Sequence, residues 1–156
     1  MKLLLLENIR SAYKVGAVFR TADATAVNKI LLVGHTPTPI DRFGRVQSEI
    51  HKTSVGASTY IPWEHFESAE LALNSTEAEN IQVVAVELSK QAVSIEHFVE
   101  PINVLYVLGN EVTGVSQYVL DISDIIIELP MLGQKESLNI SVTAGVVLYH
   151  GIIHKI

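Results

Sequence analysis

A chain of 156 residues fits one domain, and a domain of that size buries roughly 68–70% of the surface that its unfolded form exposes. With 48% hydrophobic and only 18% charged residues the composition excludes disorder, the lack of cysteine excludes a disulfide framework, and no apolar run approaches the ~20 residues of a bilayer span. The net charge of −6 argues against a polyanionic partner, yet residues 1–52 hold eight of the eleven Lys and Arg against four acids, a local net of +4 that leaves −10 for the rest.

In chain order, the first apolar run covers residues 3–6 and is followed at once by Glu7, Asn8 and Arg10. It is too short for a signal core and lacks a cleavage site, so it reads as a buried strand of a cytoplasmic protein. A helix-like stretch at 12–27 precedes a strand at 30–33. The loop 34–43 (GHTPTPIDRF) carries two prolines within the basic half and reads either as an RNA-contacting loop or as a plain surface connection. Then come a helix at 44–53, a strand at 58–61, a helix at 66–78, and strands at 81–86 and 104–108. A helix at 115–120, a strand at 125–129 and a helix at 138–154 complete the order. Most strands are too continuously apolar for a one-sided sheet. Strand–helix alternation predicts an α/β fold, a mostly parallel sheet flanked by helices, in a single domain spanning 1–156.

Open α/β sheets bind ligands outside the carboxyl ends of their strands, which directs attention to two loops. The first, LGNEVTGVS, follows the strand at 104–108, and Gly109 and Gly114 let its backbone turn sharply and approach a ligand. The second, LPMLGQKESLNISVTAG, follows the strand at 125–129. There Pro130 ends the strand, Gly133 permits a turn, and Ser137 or Asn139 can cap the last helix. Neither GxGxxG nor GxxxxGK[ST] follows the first strand, which removes the ordinary nucleotide-binding folds. His150 and His154 have the spacing of two ligands on a helix, but no HExxH pattern or third ligand accompanies them, and no metal is expected.

Three segments, NIRSAYKVGAVFRTADATAV (8–27), VLGNEVTGVS (107–116) and ELPMLGQKESLNISVTAGVVLYH (128–150), together resemble the three motifs of the TrmH (SpoU) branch of the SPOUT superfamily, in the expected order and over nearly the whole chain. The resemblance implies a C-terminal deep trefoil knot, a rare exception to ordinary topology that periodicity cannot reveal. It implies S-adenosylmethionine as cofactor, held at positions matching Leu108, Gly109, Asn110, Gly114, Ile127, Pro130, Met131 and Leu138. It implies methyl transfer to a ribose 2′-hydroxyl of tRNA or rRNA, by a homodimer whose sites join the first and third motifs across the subunit interface. Val142, Val146, Tyr149 and Ile153, near one face of the last helix, fit either that interface or core packing within the monomer.

By the same resemblance Arg20 acts at the ribose hydroxyl, with Ser137 and Asn139 orienting it and Glu111 holding the loop or the arginine. A guanidinium with a pKa above about 12 is a poor base, so stabilisation of the nascent alkoxide is the expected role. Arg10, Lys14, Arg42 and Arg45 are expected to contact RNA. Lys14 departs from the family pattern, in which many members carry an asparagine, and a lysine has no acceptor with which to replace an amide. The change suits a phosphate contact, or it marks a catalytically silent knotted module that only binds RNA or S-adenosylmethionine. No RNA-binding extension of the kind some relatives carry is expected, so recognition is expected to fall to this domain, its dimer and, where one exists, an accessory protein.

Overall fold

Successive strand residues point to opposite faces, so a run buried without alternation needs cover on both sides. Leu3, Leu4, Leu5 and Leu6 are all buried, as is every residue from Val104 to Leu108. In the computed structural model, which describes residues 1–76 and 80–153, this requirement is met by one sheet between two helical layers. The elements are β1 (Lys2–Glu7), α1 (Ala12–Ala24), β2 (Lys29–Val33), α2 (Ser48–Ser54), β3 (Trp63–Phe66) and α3 (Ala69–Asn74). They continue with β4 (Gln82–Val86), β5 (Val93–Ser94), β6 (Val104–Leu108), α4 (Gln117–Ile122), β7 (Ile125–Glu128) and α5 (Ile140–Ile153). The strand order is β3-β2-β1-β6-β4-β7-β5, and every pairing is parallel.

On one face Leu4, Leu6, Ile30, Leu32 and Tyr106 meet Phe19 of α1, Ile50 of α2 and Leu148 of α5. On the other, Leu5, Leu31, Leu105 and Val107 meet Ala72 and Leu73 of α3 and Val119 of α4. Helix α1 starts where the Ser11 side chain accepts from the Lys14 N–H at 3.3 Å, and it buries Val15, Val18, Phe19 and Ala22 against the sheet. Truncation of a fully buried phenylalanine such as Phe19 costs about 3–5 kcal/mol. Gly16 lets α1 and α2 touch: a Cβ there would lie 2.6 Å from the Ile50 carbonyl oxygen and against the Thr53 hydroxyl. At the amino end of the sheet, the Tyr106 phenol donates to Glu100 at 2.8 Å, and Lys2 pairs with the same carboxylate at 3.0 Å.

The strand expected at 58–61 is not one. Val55 and Gly56 adopt left-handed conformations (φ 52° and 90°) that turn the chain into a 3-10 turn at Ala57–Thr59. Ala57, Ser58 and Ile61 are therefore buried as loop residues, and the strand forms five residues later as β3, a half-exposed edge. Helix α2 begins at Ser48 rather than 44, because residues 40–46 close a hairpin of their own through an antiparallel bridge between Ile40 and Val46. The expected helices 66–78 and 138–154 run partly into residues 77–78 and 154, outside the described residues, and so does His154. Among the described residues no helix is long and apolar enough to cross a membrane.

Candidate active site

The sheet turns outward in opposite directions from β1, since β2 lies on one side of it and β6 on the other. Such a switch point opens a crevice beyond the strand carboxyl ends. The loop after β6 is folded on itself there. The Asn110 N–H donates to Gly114 O at 3.1 Å, and the Gly114 N–H returns to Asn110 O at 2.9 Å. The Asn110 side chain completes the turn: its oxygen accepts from the N–H groups of Val112 and Thr113, and its amide donates to Asn8 O at 2.7 Å, bridging the crevice.

Both glycines are required by this geometry. A Cβ on Gly109 would collide with the backbone of Gly114 and Val115, and Gly114 has φ 72°, where a Cβ would run into the Glu87 carboxylate. Glu87, directly after β4, accepts from Leu88 N–H at 2.9 Å and Val115 N–H at 2.8 Å, so a carboxylate from a third strand end holds the same loop. Glu7, at the end of β1, is buried and accepts from the Ser116 N–H at 2.9 Å.

Between this loop and the segment after β7 lies a cavity of about 300 Å³, at the lower end of small-molecule sites. Its floor is Val86, Leu108 and Ile140; one wall is Gly109 to Val112 with Gly114, the other Leu129, Met131, Ser137 and Leu138. Glu87, Glu111, Glu128 and Glu136 also line it, and no Lys, Arg or His does among the described residues. A cavity lined by four carboxylates, of which Glu111 alone pairs with a cation through Lys14 among the described residues, favours a ligand carrying positive charge.

The expected cofactor positions divide accordingly. Leu108, Gly109, Asn110, Gly114, Met131 and Leu138 line the cavity, whereas Ile127 is buried within β7 and Pro130 is exposed, both outside the lining. Of the expected catalytic residues, Ser137 and Glu111 line the cavity. Asn139 caps α5, its side-chain oxygen accepting from the Ser141 N–H at 3.2 Å. Arg20 is exposed on α1 and lies outside the cavity of its own chain. Lys14 pairs with Glu111 at 3.1 Å, joining the first turn of α1 to the cavity loop, with 29% and 21% of the two side chains exposed. Arg10 is exposed just before α1, and Arg42 and Arg45 flank Phe43 at the tip of the 40–46 hairpin. Glu87 was not among the sequence candidates, although an acid directly after an apolar strand is a signal of the same kind as those used for the other two loops.

An all-parallel sheet with a switch point, and an acidic cavity walled by the loops after its sixth and seventh strands, define an α/β domain with a candidate site for a cationic small molecule. The chain belongs to the SpoU rRNA Methylase family, whose model matches residues 1–149. Among similar proteins, the 23S rRNA (guanosine-2′-O-)-methyltransferase RlmB of Neisseria meningitidis is 28% identical over 146 residues, covering 94% of this chain and 56% of the relative. The tRNA (guanosine(18)-2′-O)-methyltransferase of Escherichia coli is 28% identical over 146 residues, covering 92% of this chain and 59% of the relative. An AdoMet-bound rRNA methyltransferase from Sinorhizobium meliloti superposes with a TM-score of 0.88 at 25% identity, covering 99% of this chain and 57% of that one. The chain thus spans little more than half the length of these relatives.

Proposed function

We propose that the chain is a single-domain, cytoplasmic, S-adenosylmethionine-dependent methyltransferase that modifies a ribose 2′-hydroxyl of tRNA or rRNA. The acidic cavity between the loops after β6 and β7 is the observation that carries this reading, in a chain of the SpoU rRNA Methylase family. The donor's sulfonium and ammonium groups match its carboxylates, while Leu108, Met131, Leu138 and the glycine-opened backbone at 109 suit a flat apolar base. When bound, S-adenosylmethionine supplies an electrophilic methyl on a cationic sulfur and leaves as a neutral thioether.

The protein's own residues hold the acceptor and its charge. Ser137 reaches the cavity from the β7 side and donates a hydroxyl toward the ribose. Arg20 acts as a fixed cation beside the ribose oxygen, stabilising the charge that develops as the hydroxyl proton leaves to solvent. Its place outside the cavity lining of its own chain suits a contribution from a second subunit. This supports a homodimer formed through α5, where Val142, Val146, Tyr149 and Ile153 are 42–63% exposed. A trefoil knot in the segment after β7 belongs to the same reading. Its support is that the chain leaves β7 on the far side of β4 and returns along the cavity wall to an α5 packed on α1.

The test is transfer of labelled methyl from S-adenosylmethionine to unmodified tRNA and rRNA transcripts, with calorimetry of the donor and its demethylated product. Label in ribose, lost in Arg20→Ala with donor affinity kept within a few-fold, is the expected result. An absence of heat from either ligand refutes the reading. The Lys14–Glu111 pair favours a second reading, a module that binds RNA or S-adenosylmethionine without turnover, because the pair occupies a loop carboxylate that lines the cavity. Donor binding without transfer in both the native protein and Lys14→Asn would select it.

A further inference from the structure

The hairpin at residues 40–46 takes no part in the cavity, yet its tip is built with more order than a surface connection needs. Asp41 organises it: one carboxylate oxygen accepts from the N–H groups of Phe43 and Arg45 at 2.8 and 2.9 Å, and the other accepts from the Arg45 guanidinium at 2.8 Å. The Arg45 backbone N–H foremost, then the Arg45 guanidinium and the Phe43 N–H, hold this carboxyl below the usual carboxylate range against an opposing desolvation. Backbone bonds from Asp41 N to Arg45 O and from Gly44 N to Asp41 O, both 2.9 Å, close the turn, with Gly44 at φ 76°.

What this framework presents is an aromatic ring in water. Phe43 is 66% exposed, and the guanidinium carbons of Arg42 and Arg45 lie 4.8 and 5.0 Å from its ring centre. Ile40 and Val46, 46% and 62% exposed, extend the apolar surface at its base. The hairpin follows β2 and so stands at the same carboxyl edge of the sheet as the cavity. A hydrogen-bonded rim connects them: the Thr36 hydroxyl accepts from the Ile9 N–H, Asn8 accepts from the His35 N–H, and Asn8 O accepts from Asn110 of the cavity loop.

We infer that this tip is a stacking platform for an unpaired nucleobase of the RNA substrate, with Phe43 giving the π face and Arg42 and Arg45 the phosphate contacts. The inference rests on the reading of the chain as an RNA-modifying enzyme and adds that its substrate offers a single-stranded base near the target ribose. A preordered ring loses little freedom on stacking, and the guanidiniums that already lie over it can swing aside to stack on the base in turn or to reach adjacent phosphates. A paired helix hides its base faces, so the platform selects loops over stems.

The experiment uses the full chain with a short RNA stem-loop and with a fully paired duplex of the same stem, each carrying 2-aminopurine, at one fixed salt concentration. Fluorescence anisotropy reports affinity and base fluorescence reports stacking. The native protein is expected to prefer the stem-loop and to change its 2-aminopurine signal. Phe43→Ala should weaken stem-loop binding roughly 5- to 100-fold, leave the duplex within about two-fold, and erase the stacking signal. Phe43→Trp should keep the preference, and Phe43→Leu, which keeps apolar bulk without a π face, should lose it. Unchanged stem-loop affinity in Phe43→Ala overturns the inference, as does an equal loss on both RNAs, while RNA binding by the native protein would stand. If the native protein binds neither RNA but still binds S-adenosylhomocysteine, the RNA reading itself fails and this one with it.

Discussion

A single methyl group at Gly109 should separate the cavity from the fold that carries it. In Gly109→Ala the new Cβ overlaps the carbonyl group of Gly114 and the nitrogen of Val115, backbone atoms that cannot rotate away. To restore ordinary contact the two limbs of the loop must part by about 1 Å. That opens both bonds between Asn110 and Gly114, now 3.1 and 2.9 Å, each worth about 1 kcal/mol. A loss of about 2 kcal/mol in the closed loop is about a 30-fold loss of affinity for a ligand that needs it closed. Calorimetry with S-adenosylhomocysteine measures that loss. Gly133→Ala is the control, since a Cβ there meets nothing within 4 Å and its φ is not positive. Its affinity should stay within two-fold, and its stability should hold or rise by about 0.4–1 kcal/mol. If Gly109→Ala binds as tightly as the native protein, or if Gly133→Ala loses as much, the loop does not shape the ligand site.

Lys14→Asn removes the ion pair to Glu111; because the pair is partly exposed, urea unfolding should register a loss of no more than about 1 kcal/mol. Gly16→Ala drives a methyl into the Ile50 backbone, so α2 must shift; a cost of about 1–3 kcal/mol should lower Tm by roughly 3–10 °C in calorimetry. Burial, and then the hydrogen bond to Glu100, push the Tyr106 phenol well above its usual range. Its neutral form is favoured on folding, so its contribution is complete below about pH 10 and is lost as pH rises further, when the unfolded chain ionises first. Ultraviolet titration should show a phenol that stays protonated until the protein unfolds, and Tyr106→Phe should abolish that step.

The central strands were legible because their burial is uniform: residues 3–6 and 104–108 are apolar without alternation, which a sheet covered on both faces demands. The edge strand β3 was not, since Trp63, Glu64, His65 and Phe66 are half-buried or exposed and mix polar with apolar residues. Ala57, Ser58 and Ile61 imitate a strand because they are buried, but they are buried in a loop. The glycine loops could be read as turns, and as a site only through the family's motifs. Glu87 entered the site through topology, because β4 lies between β6 and β7 in the sheet while preceding both in the chain. The Lys14–Glu111 contact, 97 positions apart, has no signature in spacing at all.

That contact alters how the first motif should be understood under the proposed reading. Helix α1 is tied to the cavity loop by Lys14 in its first turn, locked against α2 at Gly16 and pinned to the sheet by Phe19. Arg20 lies six residues beyond Lys14, about 9 Å along the helix axis, and is exposed. Moving its backbone would require tilting a helix held at three points, so the guanidinium projects from a rigid base. A charge that need not reorganise during the reaction stabilises a nascent alkoxide more effectively than a mobile one. Under that reading Lys14 serves as an anchor for the helix that bears the arginine.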